Sequence, residues 1–109
     1  MKLYRIFLPK KYNDGREIEY EKIEKIAEEI IEQFGGYSLA PFAELPFIQG
    51  VWISEKTNKL YKEIMYMIEL FIEDTFANQK WMLARKEAWR QELGQEELFV
   101  IVQNAEILA

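Results

Sequence analysis

The sequence contains neither cysteine nor histidine. These absences exclude disulfides, thiolate nucleophiles, zinc sites built on Cys or His, His-ligated haem and every catalytic triad whose base is imidazole. Any catalysis would have to use carboxylates, Lys, Tyr or Arg, and any metal would be a hard cation held by oxygen ligands. Since no complete catalytic or metal-binding signature is present, the sequence assigns no catalytic residue, no metal ligand and no cofactor.

Positive charge and long apolar runs are also scarce. The chain has 14 Lys and Arg against 19 Asp and Glu, a net charge of -5, with a pI near 4.9. Summed negative charge disfavours binding to a nucleic-acid backbone or an anionic membrane surface. No segment approaches the ~20 apolar residues of a membrane span, and the first residues lack a signal-peptide pattern. We therefore expect a cytoplasmic protein that binds neither nucleic acid nor membranes.

Hydrophobic residues, by contrast, are abundant enough for one core. Of the 109 residues, 50% are hydrophobic and 15% are aromatic. That length matches a single domain, and no linker, repeat or low-complexity segment divides it. We expect one domain over residues 1–109.

The first third of the chain predicts a strand, a turn and a helix. Lys2 to Leu8 alternates as a strand does, and apart from Arg5 both of its faces are apolar. Turn-forming residues fill Pro9 to Gly15. Glu17 to Phe34 has apolar residues at helical spacing, and Gly35-Gly36 supplies a stop, so this segment is the clearest predicted helix.

The middle of the chain predicts short strands around an apolar loop. Tyr37 to Pro41 and Gly50 to Ser54 each suit a short strand, and Glu55 to Lys59 suits a turn. The loop Phe42 to Gln49 holds Pro46 among the apolar residues Phe42, Leu45, Phe47 and Ile48. Such a loop either folds over the domain's own core or packs against a partner.

The segment from Leu60 to Ile72 fits two templates. Its apolar residues recur at helical spacing, yet they also fill both faces of a strand. The abundance of Ile and aromatic residues favours a strand, as does the excessive length that a helix fused to the next one would reach. We assign Lys62 to Ile72 as strand.

The last third of the chain predicts a helix and a strand. Asp74 or Thr75 can cap a helix that runs to Leu93. Glu97 to Val102 is the predicted last strand, and Asn104 to Leu108 is its predicted continuation past a bend. With the short strands merged, the order is βαββαβ. This order predicts a ferredoxin-like α+β fold, with two helices on one face of an antiparallel sheet.

Several short motifs point to the same fold. They are Phe34-Gly35-Gly36, Gly50-Val51-Trp52, Glu73-Asp74, Trp81 and Gln95-Glu96-Glu97. With them the chain resembles a family of small uncharacterised bacterial proteins over nearly its whole length. The resemblance implies a ferredoxin-like fold and adds no catalytic residues. The loop Phe42 to Gln49 departs from the family's pattern.

The sheet face away from the helices, here called the open face, is the candidate functional site. In a ferredoxin-like sheet the first strand lies between the third and the fourth, which gathers a large apolar patch with a few charges. Its predicted members are Leu3, Arg5, Phe7, Glu63, Met65, Met67, Glu69 and Phe71. Exposed patches of this kind usually mark an interface or a ligand groove. We expect a homodimer packed sheet to sheet, with a small-molecule pocket between subunits as the alternative.

The charges on the open face allow two interpretations. Arg5 can form a cross-strand ion pair with Glu63 or Glu69, either to neutralise charge in a covered sheet or to position a ligand. A glutamate buried without Arg5 would have a raised pKa and would suit general acid or base chemistry.

Three functional hypotheses follow from this patch and the apolar loop. The first is a homodimeric binding or interaction domain that takes a protein or a small apolar ligand. The second is an enzyme of the dimeric α+β barrel kind, or a small-molecule-binding protein, that uses a Glu or Tyr in a pocket on the open face. The third is an acidic adaptor that packs Phe42 to Ile48 against another protein.

Overall fold

The computed structural model describes residues 1–34, 47–53, 60–106 and 108, and for 47–53 and 60–64 it describes the backbone alone. These residues form an α+β structure of strands and helices in the order βαββαβ. The elements are β1 (Lys2–Pro9), α1 (Tyr20–Phe34), β2 (Phe47–Ile53), β3 (Leu60–Ile72), α2 (Phe76–Glu92) and β4 (Val100–Asn104).

The strands form one sheet with the order β2-β3-β1-β4, and every neighbouring pair is antiparallel. β1 lies near the middle, with Ile6 opposite Ile68 of β3 on one side and opposite Val100 of β4 on the other. The prediction of a strand over Lys62 to Ile72 is confirmed, although the strand begins earlier, at Leu60.

The core lies between one face of the sheet and the two helices. Because side chains alternate along a strand, every second residue of β1 and β3 meets the helices. α1 contributes a stripe at the i, i+3, i+4, i+7 spacing of an amphipathic helix. The buried cluster comprises Tyr4, Ile6, Leu8, Ile18, Ile23, Ile26, Ala27, Ile30, Tyr66, Ile68, Leu70, Ile72, Met82, Trp89, Leu93 and Leu98. Each large aliphatic side chain buried in this way contributes about 1.5 to 3 kcal/mol.

α1 begins later than the sequence predicts. The helix starts at Tyr20 rather than Glu17, because the preceding residues are held in an extended contact with the end of β1. Lys11 and Glu17 form an antiparallel bridge, and the N–H of Ile18 donates to the carbonyl of Lys10 at 2.9 Å. The predicted helix end at Phe34 is confirmed.

The predicted loop over 42–49 is wrong in its last three residues. Phe47 to Gln49 belong to β2, where Phe47 lies opposite Tyr66 and Ile48 opposite Met65. Residues 42–46 lie outside the described residues, as do the predicted strand 37–41 and turn 55–59. The adaptor hypothesis therefore loses Phe47 and Ile48 as loop residues.

Both ends of α2 follow the local sequence. The hydroxyl of Thr75 accepts a hydrogen bond from the N–H of Asn78 at 3.1 Å, which confirms the predicted N-cap. At the other end Gly94 has a φ of 59° and donates its N–H to the carbonyl of Gln91 at 3.1 Å. A left-handed residue just past the helix is the usual place for glycine, because other residues pay a steric cost there.

The last strand is shifted along the chain from its predicted position. β4 spans Val100–Asn104 instead of 97–102, and the preceding Leu98 is buried in the core. Among the described residues beyond Asn104, Ala105 donates one more backbone hydrogen bond to the carbonyl of Met1. The strand assignment ends before that residue, so the predicted continuation through 104–108 is not found there.

One carboxylate joins the two helices. Oε2 of Glu29 on α1 accepts hydrogen bonds from Nε1 of Trp89 at 2.7 Å and from Nη2 of Arg85 at 2.9 Å, both on α2. Trp89 is fully buried and meets the ring of Trp81 edge to face at 6.0 Å. A buried indole N–H needs an acceptor, so Glu29 fixes how the helices face each other.

Replacing Glu29 with alanine should lower the free energy of unfolding by about 1 to 3 kcal/mol, because the indole N–H of Trp89 would remain buried without an acceptor. Urea unfolding followed by tryptophan fluorescence measures this loss. Glu28→Ala, at an exposed position of the same helix, is the matched control and should change stability little. Equal losses in the two variants would contradict the assignment.

Candidate functional site

The structure brings most of the predicted open face together on the central strands. On β1 and β3 its described side chains are Leu3, Arg5, Phe7, Met65, Met67, Glu69 and Phe71. The antiparallel register places Leu3 opposite Phe71, Arg5 opposite Glu69 and Phe7 opposite Met67. None of these residues belongs to the core cluster beneath the helices. Alternation along the two strands thus collects them on the other face.

Of the two glutamates proposed as partners of Arg5, the structure selects Glu69. Nε of Arg5 donates to Oε1 of Glu69 at 2.7 Å. The two residues are direct cross-strand neighbours, the geometry in which opposite charges interact best on a sheet. Glu63 lies six residues earlier on β3, and its backbone is opposite Gly50 of β2. The predicted cross-strand ion pair is confirmed for Glu69.

A third polar residue, Gln103, completes this group. Nη1 of Arg5 donates to Oε1 of Gln103 at 2.8 Å, so one guanidinium bridges β3, β1 and β4. Sequence reasoning missed Gln103 because the predicted last strand stopped one residue earlier. The alternation of side chains along β4 could have placed Gln103 on the open face, but only if the end of the strand had been predicted correctly. We call Arg5, Glu69 and Gln103 the polar bridge.

The apolar residues around the polar bridge are unevenly exposed. Leu3, Phe7 and Met65 are each only 7% exposed within the single chain. Met67 and Phe71 are partly exposed. At β1 and β3 the open face therefore exposes less apolar surface than the sequence pattern predicts.

Greater exposure is found on β4, at the edge of the sheet. Ile101 lies opposite Arg5 and is 47% exposed. Phe99, whose carbonyl accepts a hydrogen bond from the N–H of Phe7, is also exposed. The strand itself, Val100–Asn104, carries neither a charge nor a proline. Exposed sheet edges usually carry charged residues or proline, which prevent pairing with the strands of other chains. β4 has neither, so its sequence does not prevent such pairing.

The polar groups of the open face are those of the polar bridge. The described residues contain no group of three or more acidic residues placed to hold a metal ion. The polar bridge offers a guanidinium, a carboxylate and an amide in an apolar frame, which suits recognition of a polar group on an otherwise apolar partner.

None of the helices in the described part of the chain is both long and apolar enough to span a membrane.

Comparison with known proteins gives one informative likeness. No family model and no curated protein matches the chain. A solved structure of a phage SAM lyase in complex with S-methyl-5'-thioadenosine matches with a TM-score of 0.65, covering 94% of this chain and 80% of that one. The two sequences are 18% identical, so the likeness shows a shared fold and nothing about activity. The resemblance to small bacterial proteins is not addressed by these comparisons and stays a prediction.

The ion pair of the polar bridge should be measurable by a double-mutant cycle. Arg5→Met, Glu69→Gln and the double variant should give a coupling energy of about 0.5 to 1 kcal/mol, because both side chains are only about one-third exposed. Urea unfolding of the four proteins provides the measurement.

The matched control is the pair Arg16 and Asp14, which has the same 2.7 Å separation but far more exposed side chains. Solvent screens such a pair, so its coupling should be smaller. A coupling in the polar bridge no larger than in this control would contradict the expected gain from its partial burial.

Proposed function

We propose that the protein is a small homodimeric binding or interaction domain in which a second copy of the chain covers the open face. The fold proposed for it is ferredoxin-like, and the element order βαββαβ and the strand order β2-β3-β1-β4 support that assignment. A cytoplasmic location remains part of the proposal.

The observation that carries the dimer is the self-complementary character of the open face. It presents one positive and one negative charge side by side, surrounded by apolar residues. A two-fold axis near this pair lets Arg5 of one copy approach the partner's Glu69 and the reverse. Two like surfaces can then meet without net charge repulsion, as an isologous contact requires.

The exposed apolar residues supply the driving force. Ile101 and Phe99 lie exposed at β4, and Met67 and Phe71 are partly exposed on β3. Burial of this area contributes roughly 25 cal/mol per Å². In the dimer the polar bridge would set the register between copies, while the apolar residues contribute most of the affinity.

Ile101→Lys should abolish the dimer. The side chain already has contact with water, so a single chain tolerates the lysine, but two copies related by symmetry would bury two like charges. Sedimentation velocity over a range of concentrations should show a dimer for the unchanged protein and a monomer for the variant.

The control is Phe76→Lys, at a position that is 79% exposed and belongs to α2, which packs on the other face of the sheet. It should leave the dimer intact. A monomer for the unchanged protein at all concentrations would overturn the proposal, as would equal loss of the dimer in both variants.

A second candidate function is an enzyme or small-molecule-binding protein that uses Glu69 on the open face. The likeness to the phage SAM lyase supports it, because that protein shares the fold and was solved with a nucleoside thioether bound. The polar bridge supports it as well, since a carboxylate held by a guanidinium among apolar residues is the kind of group that orients a polar ligand. Without histidine or cysteine, Glu69 is the one residue of this bridge that can accept a proton.

Calorimetric titration with S-methyl-5'-thioadenosine tests this candidate. Saturable binding to the unchanged protein, weakened about tenfold or more in Glu69→Gln and unaffected in Glu28→Gln, would support it. No binding at millimolar concentration, together with no turnover of SAM, would remove it and leave the interaction domain.

A further inference from the structure

The opposite side of the sheet carries a cavity that the open face does not explain. It has a volume of about 230 Å³ and lies between the first half of α2 and the paired strands β1 and β4. Met82 on α2 and Val100 and Val102 on β4 give it apolar walls. Val102 is 46% exposed because α2 does not cover this edge of the sheet. The gap between helix and edge strand is the cavity.

Tyr4 lies at the inner end of this cavity and brings its phenol hydroxyl to the cavity wall. The residue is 94% buried, its ring belongs to the core, and it lines the cavity. Within the described residues, no group makes a hydrogen bond to this hydroxyl. The Tyr4 oxygen is not one of the buried unpartnered atoms of the described residues, so it is accessible from the cavity and available to a ligand there.

The hydroxyl keeps its proton at neutral pH. Burial raises the pKa of Tyr4 above its usual value, and the nearby carboxylate of Asp74 raises that pKa further. The group is therefore a hydrogen-bond donor to whatever occupies the cavity.

Two lysines give the cavity groups that can bind an anion. Lys2 and Lys86 line it together with the single carboxylate of Asp74. Nζ of Lys2 is 3.9 Å from the nearer oxygen of Asp74, and Nζ of Lys86 is 3.2 Å from Oε1 of Glu97. Each lysine thus has one carboxylate beside it, but an ammonium group has three N–H donors, so both lysines keep donors for a ligand in the cavity.

The volume limits the size of the ligand. Sites for drug-sized molecules usually span about 300 to 1,000 Å³, so a cavity of 230 Å³ suits a smaller molecule with a single ring or a short chain. Its walls require that the body of this molecule be apolar.

We propose that this cavity binds a small monocarboxylate with an apolar body, its carboxylate directed to Lys86, Lys2 and the Tyr4 hydroxyl and its body against Met82 and the valines of β4. The site is separate from the proposed function, because it lies on the helix side of the sheet and needs no second copy of the chain.

Titration of the full chain with benzoate and hexanoate, followed by amide NMR, tests the proposal. Saturable binding is expected at millimolar concentration or below, with shifts concentrated in residues 76–86 and 100–104. The neutral analogues benzamide and hexanamide should bind much more weakly, because they lack the charge that the lysines recognise. Equal binding of acids and amides would overturn the proposal, as would the absence of saturable binding by either acid.

Two variants locate the site. Tyr4→Phe removes the hydroxyl and keeps the ring, so it should weaken binding about fivefold. Lys86→Gln changes a partly exposed helix position that the core does not use, so it tests the site even if Tyr4→Phe folds poorly. The control is Tyr66→Phe, which alters another buried tyrosine of the core that does not line the cavity. Unchanged affinity in Lys86→Gln, or equal loss in Tyr66→Phe, would contradict the assignment.

One further measurement separates this proposal from the dimer. Ile101→Lys should keep its affinity for benzoate even when it is monomeric. Loss of benzoate binding in that monomer would show that the site requires the second copy, and would overturn its independence.

Discussion

The antiparallel register between β1 and β3 is the constraint on which the rest of the structure depends. It places Ile6 opposite Ile68 beneath the helices and Arg5 opposite Glu69 on the other face. Because side chains alternate with a period of two, a slip of one residue would exchange the two faces. Arg5 would then lie among the isoleucines of the core while Ile6 faced outward. The cost of burying that charge protects the register, and the register in turn creates both candidate sites.

The elements could be predicted where local pattern and tertiary packing agree. α1 buries one stripe, at Ile23, Ile26, Ala27 and Ile30, and its period was unambiguous. β3 was ambiguous because a strand apolar on both faces contains helical spacings as well. Composition decided it correctly. The start of α1 was not predictable from local sequence, since the bridge between Lys11 and Glu17 depends on the end of β1.

The members of the open face could be predicted from the sequence, but their pairing across strands could not. Alternation within β1 and β3 assigns residues to a face without any knowledge of the register, so its members could be named in advance. Choosing Glu69 over Glu63 requires the register itself, which the sequence does not contain. Gln103 was missed because β4 lies farther along the chain than its apolar pattern indicated, with Leu98 drawn into the core instead. The residues that β4 contributes to the open face could therefore be identified only from the structure.

The cavity was beyond sequence reasoning because it is a gap rather than a set of residues. Tyr4 alternates with Ile6 and Leu8 as a core residue should, and its ring is indeed buried. Nothing in that pattern reveals that α2 leaves the end of the ring uncovered.

β4 contributes residues to both the cavity and the open face. Its even-numbered residues Val100 and Val102 line the cavity, whereas Ile101 and Gln103 lie beside Arg5 and Leu3 of the open face. Among the described strands, β4 is paired only with β1, so its outer edge lacks the support that a central strand has. Because alternate side chains of β4 point to opposite faces, a partner on the open face would contact Ile101 and leave the valines of the cavity wall uncovered.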